Sequence, residues 1–151
     1  SVDFVASIST IHHIQGQSNR VSAIRELLKT VVPSGLLLLT VWRFDIKRFK
    51  AWFDWHTNLF SSQNSSRIAN RSEIALTNKS FHIKNQSIEF GDVIVPWTVS
   101  KLNKTFYRFY HLFTEDSLKQ ELANIKSCSE IKITKFPEEK PDNLFVTMQI
   151  K

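Results

Sequence analysis

The sequence predicts an α/β fold, and three stretches carry that expectation. Residues 3–13, Asp-Phe-Val-Ala-Ser-Ile-Ser-Thr-Ile-His-His, read as a short buried strand that runs into two adjacent histidines. A helical pattern follows almost at once, then a second apolar strand, Leu36–Trp42. A strand–helix–strand crossover sets two strands side by side in parallel. The chain closes on two alternating segments, Ile131–Phe136 and Leu144–Ile150, separated by a polar loop that contains proline. That is the pattern of a terminal antiparallel hairpin.

Each element has its own justification. Phe4–Ser9 is a short apolar run, as a central parallel strand would be. After the polar loop Gln15–Ser18, Ser18 or Asn19 is expected to cap a helix. Its apolar positions Val21, Ile24, Leu27, Leu28 and Val31 share one face. Pro33 and Gly35 are expected to end that helix, and Leu36–Trp42 is apolar on both faces. Arg43–Phe60 mixes bases and aromatics, with Phe49, Trp52, Phe53 and Phe60 near helical spacing. Ser61–Ser72 is polar and aperiodic, and is expected to be a mobile stretch within an insertion spanning 43–90. Phe81–Val95 suggests one or two irregular strands, with a turn at Gly91-Asp92 and an end at Pro96. Phe106–Phe113 is aromatic and extended. Thr114 is expected to cap a helix that has Glu115 and Asp116 in its first turn and Leu118, Leu122 and Ile125 on its buried face.

Composition narrows the function classes. With 151 residues, 42% hydrophobic, including 12 Phe and 4 Trp, the chain can form one domain with a substantial core. The net charge is +6 and the sequence pI about 9.6, which favours a polyanionic partner without requiring one. A single cysteine, Cys128, excludes an internal disulfide and a Cys-based zinc cluster. The longest apolar run is far shorter than the roughly 20 residues of a membrane helix. No secretory signal is visible, so the Asn-X-Ser/Thr sequons at Asn64, Asn70, Asn78, Asn85 and Asn103 are read as chance, and the expected compartment is cytosolic or nuclear. Gly16, Gly35 and Gly91 are the three glycines, and no two are close enough to build a Gly-rich cofactor loop.

Candidate site residues follow from position. In parallel sheets ligands bind past the carboxyl ends of strands. His12 and His13 lie at such an end, although an ordinary strand-end histidine would look the same. No metal site is expected of that pair, because neighbours on an extended segment point to opposite faces. The basic run Arg43, Lys47, Arg48 and Lys50, interleaved with Trp52 and Trp55, suits a phosphate-and-stacking surface or, equally, a solvated helix.

Three blocks resemble a known family, the tRNA wobble-uridine carboxymethyl methyltransferases. The first is Asp3–Val41, with Ile11-His12-His13, Arg20 and Ala23-Ile24-Arg25. The second is Gly91-Asp92-Val93-Ile94-Val95-Pro96-Trp97, and the third is Tyr107-Arg108-Phe109-Tyr110-His111-Leu112-Phe113. The resemblance implies the C-terminal portion of a class I methyltransferase sheet, ending in the antiparallel hairpin and carrying the irregular insertion. Residues 1–151 would form one N-terminally incomplete domain, with three strands and the Gly-rich loop upstream of Ser1. Arg43–Glu89 has no counterpart in the family pattern, and Phe145-Val146-Thr147-Met148 replaces a Trp-rich ending.

The implied reaction is methyl transfer from S-adenosylmethionine to the carboxylate of 5-carboxymethyluridine in tRNA, with a small zinc-binding activator subunit as a further partner. The implied catalytic residues are His12, Asp92 and Arg108. Arg108 would clamp the carboxylate, or else pair with Asp92 or a phosphate, and Asp92 would orient Arg108 or His12. Ser7, Ile8, Ser9 and His13 would line the cofactor. Trp97, Tyr107, Tyr110 and His111 would meet the substrate, the aromatics by stacking unless they are core. Without its cofactor loop the chain alone is expected to be inactive. The competing reading is a non-catalytic, RNA-binding or regulatory fragment.

Overall fold

The computed structural model describes residues 1–45, 89–136 and 142–151. The aromatic-basic stretch after Asp45 and the expected mobile stretch 61–72 lie outside them. The described chain runs β1 (Val2–Ile8), a 3-10 turn (Ile11–His13), α1 (Gln17–Lys29), β2 (Val31–Trp42), β3 (Asp92–Val99), a 3-10 turn (Ser100–Leu102), β4 (Lys104–His111), α2 (Glu115–Leu122), β5 (Cys128–Phe136) and β6 (Asn143–Ile150). β1, β2, β6 and β5 form one sheet in that order, and β3 and β4 form a separate two-stranded ribbon.

The parallel pair is the one the crossover requires: Phe4 lies opposite Leu36 and Ser7 opposite Leu39. β6 enters antiparallel between β2 and β5, with Leu37, Leu39 and Val41 opposite Met148, Val146 and Leu144. All six of these side chains are buried, and they point to one face. Ile24 and Leu28 of α1 and Leu118 and Leu122 of α2 pack on that face to make the main core. The opposite face carries Phe4 and Ile8, each 56% exposed, beside Leu36. Mostly parallel sheets cover such residues with a second layer of helices.

Local chemistry explains the element ends and corrects three expectations. α1 starts after Gly16, which holds φ +83°, and not after a Ser18 or Asn19 cap. Positive φ costs glycine little, and the oxygen that meets the first helical N–H, that of Gln17, comes from distant Glu89 at 2.8 Å and not from a local cap. β2 begins at Val31 and passes through Pro33 and Gly35. β3 likewise runs through Pro96 to Val99. Proline is tolerated where its missing N–H faces away from a partner strand, as it can in a two-stranded ribbon. Thr114 caps α2 as expected, and Ser117 completes a reciprocal capping box at 3.0 Å each way.

The ribbon is tied to the main sheet at its base. Phe113 N–H donates to Trp42 O at 2.9 Å, Phe44 N–H to Phe113 O at 2.7 Å, and Leu112 N–H to Gly91 O at 2.8 Å. Gly91 holds φ +103°, and a Cβ there would collide with the Leu112 carbonyl oxygen. Among the described residues no helix is long and apolar enough to cross a membrane.

Candidate functional site

β1 ends at Ile8, and the backbone turns sharply. Ser9 adopts φ +51°, with its N–H bonded to Thr40 Oγ1 at 2.9 Å and to Thr40 O at 3.1 Å. A non-glycine residue in this region is strained, and here two bonds from β2 hold it. The turn delivers Ile11–His13 as a 3-10 segment, so His12 and His13 do not diverge as on a strand. Their ring centroids lie 4.5 Å apart.

His12 is fully buried, and burial, followed by the neighbouring His13, pushes its pKa down to about 3. The ring is therefore neutral near pH 7. Its Nδ1 accepts from Trp42 N–H at 3.2 Å, which puts the single ring proton on Nε2. Among the described residues that Nε2–H has no hydrogen-bond partner, although it is buried. An unmet buried donor costs about 1–3 kcal/mol, and sites that accept one often use it. The His12 ring lies 5.3 Å, centroid to centroid, from Trp42 and stacks on Tyr110 at 5.5 Å and 24°. Trp42 and Tyr110 stack on each other at 4.4 Å and 11°. His13 Nδ1 donates to Phe109 O at 3.1 Å and so pins the histidine turn to β4.

The ribbon register sorts the remaining candidates. Val93 pairs with Tyr110, Val95 with Arg108 and Trp97 with Phe106. Paired residues and every second residue share a face, so Tyr110, Arg108, Trp97 and Phe106 lie together. Arg108 lies over the Trp97 ring, 4.6 Å from Cζ to centroid, as a cation–π contact. Tyr107, His111 and Asp92 belong to the other face. This corrects two expectations. Asp92 orients neither Arg108 nor His12: its oxygens are taken by His111 Nδ1 at 2.7 Å and by Glu89 N–H at 2.9 Å. His111 is 3% exposed and turned into the interior, where no substrate base could stack on it.

That interior holds a cluster of charges. Arg20, 0% exposed, projects from α1 and donates through Nε to both oxygens of Glu121, at 3.1 and 3.2 Å. Its Nη2 pairs with Glu121 as well and with Glu89 at 2.6 Å. His111 Nε2 lies 3.8 Å from Glu121, and its Nδ1 lies 3.8 Å from Glu89. Glu89, His111 and Glu121 present ligand atoms within 4.8 Å of one another, as a metal site would. The Arg20 guanidinium already supplies the cation between the two glutamates.

Burial opposes the Glu89 carboxylate, but the Arg20 hydrogen bond and the Gln17 N–H together hold its pKa below the usual range. Its contribution to stability is thus complete above the ordinary glutamate value, about 4.3, and is lost as pH falls through the lower folded value. Acid unfolding of a Glu89→Gln variant should consequently be less steep below pH 4.3 than that of the parent. Identical pH profiles would remove Glu89 from the network.

The sequence-level cofactor residues lie at one place, the carboxyl end of β1. Ser7 is buried, Ile8 exposed, Ser9 strained, and His13 exposed beside them. No local signal groups Arg20 with Glu89 and Glu121, which lie 69 and 101 positions away in the chain.

No family model matches the chain. The tRNA (carboxymethyluridine(34)-5-O)-methyltransferase alkbh8 of Xenopus tropicalis is 26% identical over 146 residues, 82% of this chain and 23% of that protein. The tRNA (carboxymethyluridine(34)-5-O)-methyltransferase of Schizosaccharomyces pombe is 35% identical over 51 residues, 34% of this chain and 22% of that protein. The Arabidopsis thaliana enzyme of the same description is 42% identical over 40 residues, 26% of this chain and 10% of that protein. The match thus spans a quarter or less of each relative's length. A SAM-dependent methyltransferase structure from Methanosarcina mazei superposes with a TM-score of 0.59 at 14% identity, covering 98% of this chain and 58% of that one. The fold is that of a class I methyltransferase sheet.

Proposed function

We propose that this chain, similar in sequence to the tRNA carboxymethyluridine methyltransferases and alike in fold to SAM-dependent methyltransferases, forms the substrate side of an enzyme that methylates the carboxylate of 5-carboxymethyluridine in tRNA. The observation that carries the reading is the Nε2–H of neutral, buried His12, which has no partner among the described residues, in a ring that packs on Trp42 and Tyr110. A carboxylate or uracil oxygen is the acceptor that would complete it. Arg108 stands two positions along β4 from Tyr110 and on the same face, where a planar guanidinium can orient a carboxylate.

The chemistry asks little of the protein beyond placement. A carboxylate is ionised at neutral pH, so ester formation needs no general base. His12 would donate to one oxygen, Arg108 would fix the plane of the group, and the other oxygen would be left free to attack. Tyr110 would hold the base by stacking. S-adenosylmethionine supplies the electrophilic methyl when bound, and Ser7, Ile8, Ser9 and His13 would line one side of it. The reading also includes a small zinc-binding activator subunit and residence in the cytosol or nucleus.

The test needs no turnover. An anticodon stem-loop carrying 5-carboxymethyluridine should bind this chain at least tenfold more tightly than the same stem-loop with uridine. Equal affinity for the two would reject the reading and leave a non-catalytic RNA-binding role.

A further inference from the structure

We infer that the outer half of the β3–β4 ribbon is a docking finger for unpaired nucleotides flanking the modified one, built by Trp97, Leu102 and Phe106 with Lys101 and Lys104. The inference rests on the reading above and extends it to residues outside the methyl-transfer site.

Four observations carry it. Trp97 and Phe106 are directly cross-strand, and each is half exposed, at 50% and 49%. Leu102, at the ribbon's turn, is 61% exposed. A ribbon tip gains nothing in stability by showing three large apolar side chains to water, and such patches mark contact surfaces. Residues 93–110 contain Lys101, Lys104 and Arg108 and no Asp or Glu, so the finger is uniformly cationic. Lastly, the exposed rings lie on the face that also carries Arg108 and Tyr110, and the Tyr110 ring stacks on His12.

The finger therefore continues the substrate face outward. From Tyr110 to Phe106 is four strand residues, about 13 Å, long enough to reach past the modified nucleotide to a neighbour. Flat exposed rings flanked by ammonium groups fit bases and phosphates in alternation, the arrangement that holds single strands without reading sequence. Asn103, in the left-handed conformation at φ +44°, makes the tight turn that keeps Lys101 and Lys104 at the end of this track.

Titrations with the stem-loop pair, an unstructured oligouridylate, duplex RNA and phosphatidylserine vesicles decide the matter. Phe106→Ala is expected to weaken both stem-loops and the oligouridylate about tenfold, while the carboxymethyl preference set by His12 and Arg108 is unchanged. Lys101→Ala with Lys104→Ala should lower the slope of log K against log salt by about 1.4, two phosphate contacts at about 0.7 each. Both changes are on the surface, and the salt slope is a readout that a merely structural role would not move. Unchanged affinity and slope would overturn the finger and leave the carboxymethyl test standing on its own. Equal binding of duplex RNA would overturn the stacking role, and so would Phe106-dependent binding to vesicles but not to RNA. Finger-dependent RNA binding without carboxymethyl preference would uphold this inference while the methyltransferase reading fell.

Discussion

Replacing Glu121 by Ala is expected to lower the free energy of unfolding by about 3–5 kcal/mol. The change deletes few packing atoms, so the loss is electrostatic. Arg20 is fully buried, and Glu121 bonds its Nε and Nη2 together. Removing that carboxylate leaves a guanidinium out of water with Glu89 as its remaining acidic partner, and Glu89 is 27% exposed and better solvated. Burial by itself would lower the Arg20 pKa. The two glutamates outweigh it and raise the value, so this cation cannot escape by losing its proton. Urea unfolding measures the effect. A loss below about 1 kcal/mol would mean that Glu89 alone satisfies Arg20. Replacing both partners, Arg20→Met with Glu121→Leu, should be far milder than the single change, because apolar pairs of similar volume substitute for buried ion pairs at little cost. The same network holds the base of the β3–β4 ribbon through His111, so the ribbon residues should gain amide exchange in Glu121→Ala before the β2–β6 core does.

His12→Phe should separate function from stability. A phenyl ring fills the same space and can stack on Tyr110, but it brings no donor. The variant gives up the acceptor that Trp42 N–H uses and removes the unmet Nε2–H, two changes that oppose each other. Unfolding free energy should consequently move by less than about 1.5 kcal/mol in either direction. Binding should change much more. A hydrogen bond to a charged acceptor contributes about 1.5–3 kcal/mol, so the preference for the carboxymethylated stem-loop should fall by a factor of about 10–100. In a form of the enzyme that turns over, methyl transfer should slow by about 100-fold or more, as for other preorganised donors. Full retention of the carboxymethyl preference in His12→Phe would show that the unmet donor does not face the substrate.

Much of the architecture could be read from local pattern. The crossover from β1 through α1 to β2 follows from apolar runs separated by a helical period. The closing hairpin follows from strict alternation, and the α2 cap from Thr114 with acids behind it. Each of these signals lies within a few residues of the feature it sets, because backbone hydrogen bonding and side-chain periodicity act over that range. The aromatic third block was legible as an extended segment, and the resemblance of the three blocks to a methyltransferase family implies roles for His12, Arg108 and Tyr110.

What the sequence determined by itself was therefore the order and type of elements and the family likeness. Only the tertiary structure decided which candidates lie together. Strand alternation over a register that no local signal sets put Arg108, Tyr110 and Trp97 on one face of the ribbon, and Asp92, Tyr107 and His111 on the other. The packing of α1 against α2 turned Arg20 into a buried anchor for Glu121 and Glu89, residues 101 and 69 positions away. The bond from Trp42 N–H fixed the His12 proton on the nitrogen without a partner. The physical reason is common to all three. Burial, pairing register and tautomer are properties of a surroundings assembled from distant parts of the chain, and no single segment contains them.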